Sequence, residues 1–259
     1  MIKALFFDID GTLVSFNTHR IPESAVLALE KAKSAGVKIF IATGRPKKLI
    51  NNLKEIESLI DGYITTNGAY CFAGNTEILC TAIGKNDVEA VMKRVDEFNV
   101  SCIVVGKEDL LVYNATPQFG EMAKMLAVDS IRMDTPLDEL LRQGVVQMTP
   151  FFNKEQEVRA ISDTANCISS RWYPDFTDIT ANGADKGKGI EAVARHFGIA
   201  VSETMAFGDG GNDTTMLRTA GIGVAMGNAS GEVKSCADYV TATVDNDGIA
   251  GTLRRFKII

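Results

Sequence analysis

Short runs of consecutive apolar residues recur along this chain, and several of them end abruptly at acidic or hydroxyl side chains. From Ile2 to Phe7 every position is apolar except Lys3, and Asp8 follows directly. A strand with one face in water would alternate apolar and polar residues, whereas a continuous run is typical of a strand covered on both faces in a parallel sheet. The pattern therefore predicts an α/β fold whose first strand ends at Asp8.

Two more apolar runs end in the same way. Residues 37–42 form a nearly continuous apolar run that leads into Thr43 and Gly44, and the short apolar segment 204–207 leads into the acidic, glycine-rich segment 208–213. Chemistry in parallel sheets gathers outside the carboxyl ends of the strands. A hydroxyl beside free backbone N–H groups at a helix start suits a phosphate. We therefore expect these three strand ends to meet at one polar site.

The distance between the second and third of these segments indicates an insertion. The chain between Gly44 and Asp185 is far longer than one crossover helix needs. The apolar pattern within it predicts further strands and helices, which is enough for a small α/β domain. We predict a core formed by residues 1–81 and 185–259 and a smaller inserted domain of residues 82–184. A helix is also predicted to begin at Pro46, because proline is common in the first turn.

Composition and charge narrow the function classes. The chain has 259 residues, 46% of them hydrophobic, and a net charge of -6. Nucleic acid and anionic membranes usually require a basic face, so neither is expected as a partner. No window approaches the roughly 20 apolar residues of a membrane helix. We expect a cytoplasmic globular protein with a small-molecule substrate, either a monomer or a weak homo-oligomer.

Four motifs, in this order, resemble those of the haloacid dehalogenase superfamily of phosphatases, in the sugar-phosphate group called Cof-type. They are residues 8–13, Thr43-Gly44-Arg45, a lysine that opens a helix within 185–190, and the acidic loop 208–213. The resemblance implies a Rossmann-like parallel-sheet core with an inserted α/β cap domain. It also implies a hydrolase that depends on Mg²⁺ and acts on small phosphate esters, most of all hexose phosphates.

The resemblance assigns the chemistry to the first motif. It implies that Asp8 is the nucleophile that forms an aspartyl-phosphate, and that Asp10 is the general acid and then the general base. A carboxylate with a reference pKa near 3.9 is expected to ionise at neutral pH without help. Thr12 is expected to donate a hydrogen bond to the Asp10 carboxyl. The Mg²⁺ ligands implied are Asp8, the Asp10 carbonyl and Asp209.

The other motifs are implied to bind the phosphoryl group. The candidates are Thr43, Gly44, Arg45, Asn212, and a lysine of the third motif. A metal-bound water is the alternative partner for Asn212, and tying loops together is the alternative role for Arg45. Lys186 fits the family pattern better, but Lys188 stays open. Asp213 has two open roles, either beside the water shell of the metal ion or as the residue that orients the lysine.

Substrate selection is the least specific part of the prediction. Arg171, Trp172 and Asp178 form a polar and aromatic cluster near the return to the core, and His19 lies just after the first motif. We list these four as candidates for substrate contact, and a packed strand end is the alternative interpretation of the first three. A phosphomutase or phosphotransferase and a sugar-phosphate sensor without turnover are the alternative functions.

Overall fold

The computed structural model describes residues 1–125, 128 and 132–259, and the side chains of Met125 and Trp172 lie outside the described part. Within that part the strands are β1 Ala4–Phe7, β2 Lys38–Ala42, β3 Gly62–Thr65, β4 Tyr70–Ala73, β5 Thr76–Cys80, β6 Cys102–Val105, β7 Leu110–Tyr113, β8 Gln147–Pro150, β9 Cys167–Tyr173, β10 Phe176–Ala181, β11 Thr204–Gly208, β12 Ile222–Ala225 and β13 Tyr239–Val240. The α-helices there are α1 Glu23–Ser34, α2 Lys85–Phe98, α3 Pro117–Met125, α4 Leu137–Gln143, α5 Lys154–Ser162, α6 Lys186–His196, α7 Thr214–Thr219, α8 Gly231–Lys234 and α9 Gly248–Arg255.

The chain divides into two compact units, and the first contains an eight-stranded sheet. This unit consists of Met1–Gly44, Asn52–Leu79 and Asp185–Ile259. The strand order is β13-β12-β11-β1-β2-β3-β4-β5. The strands from β13 to β3 are parallel, and β4 is antiparallel to β3. The predicted α/β class with a Rossmann-like parallel sheet is therefore confirmed.

Strand β1 lies at the centre of this sheet and is buried on both faces, as its continuous apolar run predicts. All four of its residues have no exposed surface. The ring of Phe6 stacks on Phe40 of β2 at 4.9 Å, and the ring of Phe7 stacks on Phe207 of β11 at 4.8 Å. The strand order reverses between β1 and β11, because β2 and β3 follow on one side of β1 and β11 to β13 on the other. Ligands in open α/β sheets bind at such switch points. Asp8 therefore leaves a tightly packed strand at this point.

The second unit has its own sheet and core. It consists of Arg45–Asn51 and Cys80–Ala184, and its five antiparallel strands follow the order β7-β6-β8-β10-β9. Helices α2 and α5 pack on this sheet, with Val91 and Ala160 buried in its core. Ion pairs join Arg45–Asn51 to the rest of this unit, and they include Lys47–Glu108 at 2.6 Å and Lys48–Asp109 at 2.7 Å. The domain limits predicted from the sequence stay a prediction.

One local expectation was wrong, and one helix was missed. The helix expected from Pro46 is only a 3₁₀ turn over Lys47–Leu49, which has no side-chain cap and ends where Ile50 becomes extended. Helix α4 was not predicted, although its start carries acidic residues in the first turn and its end is marked by Gly144, which are ordinary helix signals. Among the described residues, no helix has the length and apolar character needed to cross a membrane.

Asp61 joins three elements of the first unit just before β3. Its carboxylate accepts hydrogen bonds from Lys33 at 2.6 Å and from the backbone N–H of Ile39 at 2.8 Å, and Lys38 lies 3.5 Å away. Burial favours the neutral acid, but the hydrogen bonds from Lys33 and Ile39 outweigh it and lower the pKa of Asp61. Its charged form therefore stabilises the fold.

The substitution Asp61→Asn is expected to lower the free energy of unfolding by about 1 kcal/mol at neutral pH. Since the folded-state pKa lies below the unfolded value near 3.9, the contribution is present above about pH 4 and is lost as the pH falls through the folded-state pKa. Urea denaturation of both proteins at neutral pH and in acid measures the effect. A difference that stays constant in acid would contradict a role for the charge.

Candidate active site

Three carboxylates meet where β1 and β11 end. These strands are parallel neighbours with Phe7 paired to Phe207, so the residues that follow them leave the sheet at the same edge. The backbone N–H of Asp8 donates to the Phe207 carbonyl at 3.0 Å. One carboxylate oxygen from each of Asp8, Asp209 and Asp213 lies within 4.8 Å of the others. The predicted convergence of the first and fourth motifs is present in the structure.

Lys186 is the cation of this cluster. It begins α6, is fully buried, and its Nζ donates to Asp8 Oδ1 at 2.7 Å and to Asp213 Oδ1 at 2.5 Å. Lys188 differs, because its side chain is 55% exposed and its Nζ lies 4.0 Å from the carboxylate of Asp185. The structure therefore brings Lys186, and not Lys188, to Asp8.

Close backbone packing places the start of α6 at the sheet edge. The carboxylate of Asp185 accepts from the backbone N–H of Lys188 at 2.9 Å and so caps the helix. Gly68 has a φ of +92°, and a Cβ there would lie 2.1 Å from the Asp185 carbonyl oxygen. Only glycine allows this approach without strain.

Asp213 organises the fourth motif. It is fully buried, and its Oδ2 accepts from the backbone N–H groups of Asp209 at 2.9 Å and Gly210 at 2.8 Å. Its Oδ1 accepts from Lys186. Of the two roles left open by the sequence, these contacts favour the one in which Asp213 orients the lysine.

The first motif contacts Asp209 in a way that differs from the expectation. Thr12 Oγ1 donates to Asp209 Oδ1 at 2.8 Å, so its hydroxyl orients Asp209 and not Asp10. The physical reason is the sharp turn at Gly11, where φ is +89° and a Cβ would lie 2.2 Å from Asp209 Oδ2. The turn brings the whole segment against the fourth motif. Asp10 is half-buried and forms a bridge with Val14.

The carboxylates carry more negative charge than one lysine balances. Burial raises the pKa of Asp8 well above its usual value, and the charge of Asp213 adds to this effect while Lys186 opposes it. The ionisation of Asp8 at neutral pH stays a prediction, and Lys186 is the neighbour that favours its charged form. Burial also raises the pKa of Asp209 to about 6, although the hydrogen bond from Thr12 acts to lower it.

A hard divalent cation fits this donor set. Burial opposes the charge on Lys186, but Asp213 and Asp8 outweigh it and raise the pKa of Lys186 above its usual range, so this residue stays charged. Three carboxylates and one ammonium leave a local excess of negative charge. Oxygen donors in such a cluster are the ligands that Mg²⁺ prefers.

The ends of β2 and β3 contribute a second polar group. The backbone N–H of Asn67 donates to the Thr43 carbonyl at 3.1 Å, and Asn212 Nδ2 donates to Asn67 Oδ1 at 2.9 Å. A Cβ on Gly44 would lie 3.0 Å from Asn67 Oδ1. The structure therefore brings the predicted residues Thr43, Gly44 and Asn212 together.

Asn67 is a residue that the sequence reasoning missed. In the sequence, the pair Asn67-Gly68 is typical of a tight turn and predicts no site residue. The side chain of Asn67 is instead buried, and its backbone has a φ of +54°. A signal was available, because Asn67 lies only two residues after the end of β3, a strand neighbouring β2.

The remaining candidates are described by their contacts within their own units. Arg45 belongs to the second unit, where its Nη1 donates to the Leu49 carbonyl at 3.0 Å and lies 3.5 Å from Asn51 Oδ1. Its role toward phosphate stays a prediction. His19, in the first unit, is exposed with a φ of +53°, and its predicted substrate contact also stays a prediction.

Arg171 and Asp178 have structural partners within the second unit. Arg171 donates to Glu157 Oε2 through Nε at 2.8 Å and Nη2 at 2.6 Å. Asp178 is buried and accepts from Gln147 Nε2 at 3.1 Å and Thr149 Oγ1 at 2.7 Å. Buried charges require such partners, which the sequence did not identify. Substrate contact by either residue stays a prediction, and the predicted Trp172 side chain lies outside the described part.

Comparisons with known proteins agree with this arrangement. The profile of the haloacid dehalogenase-like hydrolase family matches residues 5–253. The Bacillus subtilis protein YkrA is 32% identical over 261 residues, which cover 99% of this chain and 98% of YkrA. The solved structure of the HAD subclass IIB sugar phosphatase BT4131 is 50% identical, with a TM-score of 0.92 over 99% of this chain and 100% of that one. The structure of BT1666 from Bacteroides thetaiotaomicron is 38% identical, with a TM-score of 0.88 over 100% of this chain and 96% of that one.

Proposed function

The chain belongs to the haloacid dehalogenase-like hydrolase family and is a phosphatase, and from that premise we propose that it hydrolyses hexose phosphates through an aspartyl-phosphate on Asp8. The observation that carries the proposal is the buried Asp8 at the end of β1, held by Lys186 beside Asp209 and Asp213. The 50% identity to a structure described as a sugar phosphatase supports the substrate class.

In the first step, an oxygen of Asp8 attacks the phosphorus atom. The bond between phosphorus and the ester oxygen breaks, and Asp10 donates a proton to the leaving alcohol. The ammonium of Lys186, the Thr43 hydroxyl and the Gly44 backbone N–H are assigned to the phosphoryl oxygens. Splitting the displacement in two lowers a barrier that is very high for unassisted phosphate monoesters.

In the second step, Asp10 accepts a proton from a water molecule that attacks the phosphorus atom of the aspartyl-phosphate. The bond between Asp8 and phosphorus breaks, which releases inorganic phosphate and restores the carboxylate. The same residue acts as acid and then as base, because the alcohol and the water occupy the same side of the phosphorus in the two steps. Asp213 keeps Lys186 in place throughout.

The group implied by the family and by the acidic cluster is Mg²⁺. Asp8, the Asp10 carbonyl and Asp209 would hold it, and when bound it supplies charge stabilisation to the phosphoryl oxygens. The excess of carboxylates over cations in the cluster supports this assignment.

A panel of phosphate esters tests the proposal. Phosphate release from hexose, pentose and triose phosphates and from a nucleotide is measured with Mg²⁺ and with EDTA. We expect release that requires Mg²⁺ and is fastest with a hexose phosphate. A pentose phosphate or nucleotide at the top of the ranking would overturn the substrate class, and transfer of the phosphoryl group to a second sugar without release would indicate a mutase or transferase.

A further inference from the structure

Asn228 joins three separate segments of the first unit through one side chain. It follows β12, and its Nδ2 donates to the Gly11 carbonyl at 2.8 Å and to Asp209 Oδ2 at 3.1 Å. Its Oδ1 accepts from the backbone N–H of Val244 at 3.2 Å. The amide has two N–H donors, and each has one acceptor. The side chain therefore forms hydrogen bonds with the first motif, the fourth motif and the C-terminal part of the chain.

These contacts complete the orientation of Asp209. Its Oδ1 accepts from Thr12 at 2.8 Å and its Oδ2 accepts from Asn228 at 3.1 Å, so each carboxylate oxygen is held by one side-chain donor. Two such hydrogen bonds on opposite oxygens restrict rotation of the carboxylate about its Cβ–Cγ bond. The same Nδ2 group also holds the carbonyl of Gly11, next to Asp10.

Burial does not require these hydrogen bonds. Asn228 is an exposed residue, so water could satisfy its amide without any protein partner. An exposed asparagine whose donors both point to the first and fourth motifs contributes geometry more than folding free energy. Partners that orient a metal-ligating carboxylate change metal affinity or activity by about 10- to 100-fold when removed.

We propose that Asn228 is a positioning residue that orients Asp209 and the Gly11 turn for binding of the divalent cation. The inference rests on the proposed function, because it takes Asp209 as a ligand. Asn228 itself touches neither the substrate nor the reacting atoms. Its loss should therefore weaken binding of the metal ion and leave the rate at saturating metal close to that of the wild type.

The test compares Asn228→Ala with the wild type and with Asn246→Ala. Asn246 is an exposed asparagine whose Nδ2 donates to Thr243 Oγ1 at 2.7 Å, and neither residue belongs to the four motifs. Binding of Mn²⁺ to the metal-free protein is measured by electron paramagnetic resonance without substrate, and the Mg²⁺ concentration for half-maximal phosphate release is measured separately. We expect both constants to weaken by about 10- to 100-fold in Asn228→Ala only.

The outcomes separate the inference from the proposed function on which it rests. If Asp209→Asn loses Mn²⁺ binding while Asn228→Ala binds it as the wild type does, the role of Asn228 is refuted and the metal site stands. If the wild type itself binds no Mn²⁺, the proposed metal site is refuted, and the role of Asn228 is refuted with it. Thermal unfolding of the metal-free proteins shows whether Asn228→Ala is folded. If Asn228→Ala is unfolded, the titration is repeated with Asn228→Ser, whose hydroxyl is too short to reach both acceptors.

Discussion

Replacing Asp8 with asparagine is expected to reduce phosphate release by on the order of 10⁴-fold or more, because the amide cannot form the aspartyl-phosphate. The side chain keeps its shape, so substrate binding should change much less than turnover. Initial rates over a range of substrate concentrations separate the two effects. Asp61→Asn is the matched control, because it removes a carboxylate of the same unit outside the cluster and should keep the wild-type rate.

The same substitution should not destabilise the metal-free protein. The raised pKa of Asp8 means that the folded state resists its ionisation, so its charge at neutral pH opposes folding. Asparagine removes that charge while Lys186 keeps its contact with Asp213. We expect a melting temperature equal to or above that of the wild type in EDTA. An Asp8→Asn protein that is folded and still turns over substrate would refute the role of Asp8.

Replacing Lys186 with methionine should damage both folding and catalysis. The ammonium is fully buried between two carboxylates, and removing one partner of a buried ion pair costs about 3–5 kcal/mol. Loss of one preorganised donor to a developing charge typically lowers the rate by about 10²- to 10³-fold. Chemical denaturation in EDTA and initial rates at saturating Mg²⁺ measure the two effects.

Lys188→Met is the control for this prediction, since it changes the same residue type two positions away on an exposed side chain. It should alter the free energy of unfolding by no more than about 0.5 kcal/mol. A double variant with Asp213→Asn should recover part of the stability lost in Lys186→Met without restoring activity, because the two residues interact directly. Equal effects of Lys186→Met and Lys188→Met would contradict the account.

The stability loss in Lys186→Met should also depend on pH with a definite sign. Without the ammonium, Asp8 keeps a folded-state pKa above its unfolded value, so the folded protein binds the proton more tightly than the unfolded chain does. The loss of unfolding free energy in Lys186→Met is therefore greatest above the folded-state pKa of Asp8. It shrinks as the pH falls toward the pKa of the unfolded carboxyl, near 3.9. Denaturation curves at neutral and acidic pH measure this trend.

The strand ends could be predicted because burial on both faces leaves a clear mark in the sequence. The continuous apolar run of β1 and the abrupt change at Asp8 place that carboxylate at the sheet edge. The same reasoning places Thr43 and Asp209, which follow neighbouring strands. Applied to β3, it points to the segment that contains Asn67, but an Asn-Gly pair by itself is typical of a turn.

The choice between two lysines shows what helical periodicity can add. Residues 186 and 188 lie about 200° apart around a helix, so only one of them can face the sheet. Ile190 is buried and lies four residues after Lys186, which puts that lysine on the same face. The sequence contained this information, whereas the family pattern alone left both open.

The contacts of polar side chains across the fold were beyond the reach of the sequence. Thr12 donates to Asp209, which lies 197 residues away along the chain. Arg171 and Asp178 were candidates for substrate contact by their chemistry, yet Arg171 pairs with half-buried Glu157 and Asp178 with buried Thr149. Such pairings depend on the register and packing of elements that no local pattern encodes.

Chemical trapping of the phosphorylated enzyme tests the central claim most directly. The Asp10→Asn variant lacks the base of the second step, and an aryl phosphate has a leaving group that needs no acid, so the intermediate should accumulate. Quenching with borohydride converts an aspartyl-phosphate to homoserine, and peptide mass spectrometry locates the change. We predict homoserine at position 8 in the presence of Mg²⁺ and none in EDTA. Homoserine in place of another aspartate would contradict the account. Turnover of the aryl phosphate with position 8 always unmodified would contradict it as well.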